Sequence, residues 1–342
     1  KSEFGNPDHE GPDQLQTARY WIVEYSLSRA KERIETLKEY VAIPEVYRTA
    51  NIQVLYRELR TTTLHCSQLG DNLPLSYCEF NPNDQMVAVS SWSGLCKLWT
   101  IPDCKHVRTF RGHIKNACCI SWHPQSTLTQ DPAMINLASS SFDTSVKLWN
   151  LQCDEPIAEI EGHTPFRVSK VKCHSSGRFL TTACYDHSWR LWDLETQEEI
   201  LHHEGHSKAV HDIKFHCDGS LSATAGMDTY GRIWDLRTGR CIIFLEGHLK
   251  PVLSIDFSPN GVAAHENLVS TVKFQCNEGH YLVTVSYDNT IKLTTHPIWS
   301  ALYSSKGHEQ KIMSAALSRD GRCIATVSYD RTFKIWSAGK IC

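Results

Sequence analysis

Short runs that alternate apolar and polar residues recur along most of the chain, punctuated by Asp-Gly or Asn-Gly pairs. Val210 to Phe215, Leu221 to Ala225 and Arg232 to Leu236 are such runs; Asp218-Gly219, Asn260-Gly261 and Asp320-Gly321 are such pairs. A period of two bounded by these turns predicts strands joined by tight hairpins. The first sixty residues read differently. Residues 1 to 16, rich in Gly, Pro, Asp and Glu, are expected to be irregular. Leu27, Ala30, Ile34, Leu37 and Val41 follow 3-4 spacing and predict a helix from about Ser28 to Val41, ended by Ile43-Pro44. A second helix, from about Pro44 to Arg60, puts Ile52, Leu55 and Leu59 on one side. The expected division is an irregular and helical segment over 1–60 and a β-domain over 61–342. The helices are expected to pack on the wall of that domain, or else to offer an apolar face to a partner helix.

The strand-rich part repeats. Gly-His pairs end at His113, His163, His206, His248 and His308, with Ala264-His265 as a variant, and most intervals are 42 or 43 residues. An aspartate follows the histidine by 22 or 23 residues, or by 30 where an insertion around Gln125 to Met134 intervenes. A tryptophan comes six residues later, and the next histidine fourteen after that. This is the period of a propeller blade, in which four strands form one unit and the units stack around an axis.

Spacing and landmarks together resemble the WD-repeat family. The resemblance implies a buried His, Ser/Thr, Asp, Trp tetrad in each blade: His113, Ser139, Asp143, Trp149; His163, Thr182, Asp186, Trp192; His206, Thr224, Asp228, Trp234; and His308, Thr326, Asp330, Trp336. A Ser/His/Asp set that recurs four times reads as structural hydrogen bonding and not as a catalytic triad. The first unit has Asp71 and Ser93 where histidine and aspartate belong, and the sixth has Thr294 in place of tryptophan. The fifth is short: 17 residues separate His248 from His265, about 25 fewer than the usual pitch. The last unit stops at Trp336, while Thr62 to Leu69 reads as an outer strand, so pairing of the two ends within one blade is expected. The expected fold is all-β, a WD-repeat β-propeller on a seven-blade plan with an incomplete fifth unit, preceded by a short helical segment.

Composition removes some alternatives. A net charge of -3 makes any RNA contact local and not a matter of bulk charge. No apolar run reaches eighteen residues, so no membrane association is expected. The fourteen cysteines are scattered without a CxxC pair and read as reduced thiols in the core; no metal, cofactor or small-molecule substrate is expected. The sequence does not begin with methionine and reads as the C-terminal part of something longer.

Several stretches carry a narrower likeness: CSQLGDNLPLSYCEFNPN from Cys66, WSGLCKLW from Trp92, CYDHSWRLWDLETQEEIL from Cys184, TGRCIIFLEGHLK from Thr238 and SYDRTFKIW from Ser328. They resemble the WD-repeat subunits of the spliceosomal U4/U6 small nuclear ribonucleoprotein. That resemblance implies a nuclear, non-catalytic scaffold that joins splicing-factor proteins to the U4/U6 particle and supports tri-snRNP assembly, with a possible contact to U4/U6 snRNA. A ubiquitin-ligase substrate receptor is the alternative, because Trp234-Asp235-Leu236-Arg237 has the WDxR form. For binding, bulky residues recur just before the tetrad aspartates, at Trp92, Phe142, Tyr185, Met227, Tyr287 and Tyr329. Lys115, Arg167, Lys208, Lys250 and Lys311 follow the histidines on the same rim. Aromatics beside cations suit a partner segment or unpaired RNA.

Overall fold

In the computed structural model, residues 13–257, 269–275, 279–296 and 299–338 are described. Two helices, α1 (Asp13–Ala42) and α2 (Glu45–Arg60), precede β1 (Thr63–Leu69). Six four-stranded antiparallel sheets follow. Blade one is β2 to β5 (Leu75–Phe80, Met86–Ser91, Cys96–Thr100, His106–Phe110) and blade two β6 to β9 (Ala117–Trp122, Leu137–Ser141, Val146–Trp149, Ala158–Ile160). Blade three is β10 to β13 (Val168–Cys173, Phe179–Cys184, Ser188–Asp193, Glu199–Glu204). Blade four is β14 to β17 (Val210–Phe215, Leu221–Gly226, Gly231–Asp235, Arg240–Leu245). Blade five is β18 to β21 (Val269–Phe274, Tyr281–Ser286, Thr290–Thr295, Ala301–Lys306). Blade six is β22 to β24 (Ile312–Leu317, Cys323–Ser328, Thr332–Ser337) with β1 as its outer strand, Leu64 opposite Trp336. The two ends of the strand region therefore close the ring in one sheet.

The propeller has six blades, and this corrects the seven-blade expectation. The short unit between His248 and His265 forms no sheet among the described residues. Counting landmark histidines counted a unit that lacks the length for four strands of ordinary size with their turns. His248 is exposed, since no aspartate or tryptophan of its own surrounds it, and the neighbouring Leu249 is 98% exposed. His265 and the Asn260-Gly261 pair lie outside the described residues.

What remains of that unit runs between blades four and five. Inner strands are linked by hydroxyls at their second position: Ser76 Oγ donates to Ala117 O (2.7 Å), Ser169 Oγ to Val210 O (2.6 Å) and Ser270 Oγ to Ile312 O (2.7 Å). In blade four, His211 Nδ1 donates to Leu253 O (2.9 Å). Residues 251–257 have no strand ladder. Instead the Asp212 carboxylate accepts Ser254 Oγ (2.9 Å) and Ile255 N (3.1 Å), and Asp256 accepts Phe274 N (3.0 Å). Burial would raise the Asp212 carboxyl, but Lys170, Lys214 and Lys273 outweigh it and hold it below the usual range. Buried apolar clusters join blades one to three, three to four, five to six and six to one; among the described residues none joins four to five. This seam is polar.

The helices cross it. Leu15, Ala18 and Ile22 of α1 pack with Phe179, Trp189 and Trp234 of blades three and four. Further along, Arg29 Nε donates to Cys217 O (3.2 Å) and Arg33 pairs with Asp218 (2.9 Å). Beyond the seam, Tyr40 lies against His280, Tyr56 of α2 donates to His280 O (2.9 Å), and Leu59 joins the core around Tyr281 and Trp336. Helix α1 thus starts inside the stretch expected to be irregular, and its buried face is not the expected one. Leu27, Ile34 and Val41 are exposed, because 3-4 spacing is satisfied on two faces and the N-terminal one meets the blades.

Candidate functional site

The tetrads position the rim. In blade two the Trp149 indole N–H donates to Ser139 Oγ (2.8 Å), whose hydroxyl faces His113 Nε2 (2.7 Å), and His113 Nδ1 faces Asp143 (3.0 Å). Blades four and six repeat this. Trp234 donates to Thr224 (2.9 Å), next to His206 (2.8 Å) and Asp228 (2.9 Å); Trp336 donates to Thr326 (3.0 Å), next to His308 (2.9 Å) and Asp330 (2.9 Å). Each chain runs from the core to a carboxylate that also accepts the N–H after the histidine, as from Ile114, Ser207 and Glu309. The loop at that end is fixed as a result. Burial would raise the Asp143 and Asp330 carboxyls, but the hydrogen bonds from His113 and His308 hold both far below the usual range.

Blade three departs from the expected set. Trp192, Thr182 and His163 are linked (3.0 and 2.9 Å), but Asp186 pairs with Arg190 (2.7 Å) and Ser188 (2.6 Å). His163 Nδ1 is left buried without a partner among the described residues. Blades two and six carry Lys147 and Lys334 at the position of Arg190; in blade four Arg232 lies over Phe244 (4.7 Å) and leaves Asp228 to His206. In blade one Ser93 donates to Asp71, which Lys97 also reaches (3.2 Å), and Val89, opposite Lys97, holds the position that carries a hydroxyl in other blades, so the Trp99 indole nitrogen has no partner among the described residues. Asp288 of blade five is exposed and accepts the hydroxyl of Thr290.

Burial and the Arg190 charge push His163 down to about 4; burial brings His174 down to about 4, against a hydrogen bond to Gly219 that works the other way. The unfolded imidazole, near 6.5, takes up a proton that the buried ring refuses. The stability of the neutral form is whole above about pH 6.5 and is lost as pH falls from there through about 4. Lowering the pH from about 7.5 to about 5 is expected to cost about 2 kcal/mol per histidine, read from urea unfolding. His174→Gln should recover its share; unchanged acid sensitivity would remove His174 from the account.

On the fixed loops, the residue before each aspartate sits beside the start of an inner strand. The backbone N–H groups of Trp92, Phe142, Tyr185, Met227 and Tyr329 donate to Pro74, Asn116, Arg167, Ala209 and Lys311 (2.9 to 3.1 Å). Their side chains gather into two groups around cations. The Arg167 guanidinium lies 3.7 Å from the Tyr185 ring centre and 4.4 Å from Phe142. Lys311 lies 4.5 Å from Tyr329 and 5.4 Å from Tyr287, and Trp92 meets Tyr329 edge to face at 5.2 Å. Lys115, Lys208 and Lys250 are exposed. Sequence reasoning missed Leu73, Ile114, Phe166 and Leu249 in the same loops, all exposed, Ile114 at 90%. Their signal was available: an apolar residue one to three positions after Asp71, His113, His163 and His248, where a polar loop residue would serve.

Two other features are structural. Arg237 of the WDxR stretch is not free, since its guanidinium pairs with Asp235 through two bonds of 3.0 Å. His216, Cys217 and Asp218 could together face a metal ion, but they are consecutive in a turn and Asp218 is already neutralised by Arg33. The twelve described cysteines are free thiols, and no helix among the described residues is long and apolar enough to cross a membrane.

Blades, tetrads and closure define a WD-repeat propeller. The family described as WD domain, G-beta repeat matches residues 61–100, 104–150, 154–193, 197–235, 239–263, 262–294 and 299–337. The stretch 239–263 holds β17 and the segment without a sheet, so seven matches correspond to six blades. The chain is 54% identical over 131 residues to the U4/U6 small nuclear ribonucleoprotein Prp4 of Mus musculus, covering 38% of this chain and 25% of the relative. For Homo sapiens the figures are 54% over 124 residues, 36% and 24%. The chain matches about a quarter of the length of these mammalian relatives. To the U4/U6 small nuclear ribonucleoprotein PRP4 of Saccharomyces cerevisiae it is 32% identical over 369 aligned positions, covering 95% of this chain and 75% of the relative. The chain belongs to the WD-repeat family and, within it, to the group of U4/U6 small nuclear ribonucleoprotein Prp4 proteins.

Proposed function

We propose that this chain is a non-catalytic nuclear scaffold of the U4/U6 and tri-snRNP particles, and that a partner splicing factor docks on the rim carrying the two cation–aromatic groups. The observation that carries the reading is the gathering of five aromatic residues, Phe142 and Tyr185 around Arg167 and Tyr287, Tyr329 and Trp92 around Lys311, at one end of the ring. Apolar side chains exposed beside them, Ile114, Phe166 and Leu249, favour a protein segment with acidic and apolar anchors over RNA, whose bases stack on aromatics but gain little from aliphatic groups. The names of the relatives support association with the splicing particle.

The test is recovery of partners from nuclear extract by the tagged chain. Alanine at Trp92, Tyr185 and Tyr329 is expected to weaken binding by about 2 kcal/mol for each residue within the contact, while the rim turns tolerate the changes. Replacing Lys115 or Lys208 should mainly change salt dependence and on-rate. A folded triple variant that recovers the same proteins and RNAs would move the contact elsewhere. Recovery of ligase adaptors in place of splicing factors would favour the substrate-receptor reading.

A further inference from the structure

The axial channel opens at the end opposite the rim, where the inner strands finish, into a cavity of about 380 Å³. That volume is in the range of small-ligand sites. Its walls carry charges that the rim interface does not use. Lys170 pairs with Asp212 (3.7 Å) and lies over the Tyr77 ring, and Lys172 pairs with Glu79. Two lysines of the cavity have no carboxylate within ion-pair distance among the described residues. Lys273 reaches only the neutral Tyr77 hydroxyl (3.4 Å), and Lys214, 6% exposed, makes no hydrogen bond or ion pair among the described residues. The nearby Asp256 carboxylate already accepts the Phe274 N–H.

A buried ammonium without a partner loses hydration that nothing returns, and a second one beside it adds repulsion. Burial pushes Lys214 down and Lys273 pushes it further in the same direction, against a partial offset from Asp256, Asp212 and Glu79. An anion seated between them would relieve both costs.

We propose that this mouth is a binding site for a small phosphate-bearing anion, held by Lys214 and Lys273. Lysine suits the task as a compact point charge for phosphate oxygens. The site is independent of the rim reading, since it lies at the other end of the channel.

The experiment is calorimetric titration of the full chain with inorganic tripolyphosphate, with ATP and inositol hexakisphosphate as further arms to separate nucleotide from non-nucleotide sources. Lys214→Met and Lys273→Met are each expected to weaken tripolyphosphate binding at least tenfold, while Lys208→Met, on the opposite rim, binds like the parent. If Lys214→Met does not fold, Lys273→Met decides alone. Absence of binding by the parent, or equal binding by all three variants, would overturn the site.

Discussion

Replacing Trp234 by alanine is expected to lower the unfolding free energy by about 3 to 5 kcal/mol, because a large buried ring leaves a cavity between blades three and four. Its indole also satisfies Thr224, and its ring lies tilted against His203 with centres 4.5 Å apart. Trp234→Phe separates the two roles: most of the ring stays and the donor goes, for about 1 to 2 kcal/mol. Trp99→Phe is the matched control. Its indole nitrogen already lacks a partner, so the same change should cost close to nothing. Equal losses for the two phenylalanine variants in urea unfolding would show that the tetrad hydrogen bond carries no stability.

The second large effect concerns the seam between blades four and five. Helix α1 is docked through Ile22, fully buried on blades three and four, and reaches His280 of blade five through Tyr40. Ile22→Ala should cost about 2 to 4 kcal/mol. If the helix holds the seam, amide exchange at Val252 and Ile255 should accelerate well beyond that of Val171 in blade three. A destabilised variant in which all three amides speed up alike would mean that α1 adds stability without bracing the seam.

Much of this was legible in the sequence. Strand positions and ring closure by β1 follow from spacings that a repeated unit must keep, and the resemblance to the WD-repeat family then implied Trp234 beside Thr224 before any coordinates. The rim aromatics were legible for the same reason, since each holds one position of one turn. The blade count was not, because the histidine landmark at His248 survives without the strands it normally organises. Nor was the departure in blade three. Arg190, Lys147 and Arg232 occupy the same register, yet only Arg190 takes the aspartate from its histidine, while Arg232 turns onto Phe244, so the residue type at that position does not mark the exchange. The docking face of α1 was misread because its partners, Phe179 and Trp189, lie more than a hundred residues away.

The clasp in blade six has a kinetic consequence. Of the described strands β1 is synthesised first, and β24, its one neighbour among them, last. Until then β1 and the first blades form a growing arc with open edges, and the contact that closes it spans nearly the whole strand region, which carries a large loop-closure entropy and slows the final step. During translation this protein passes through an extended period as an unclosed arc, in which α1 gains its surface only once blade four is made and Leu59 of α2 waits for blades five and six. The arc is therefore the form most exposed to misassembly and the form on which chaperones would act.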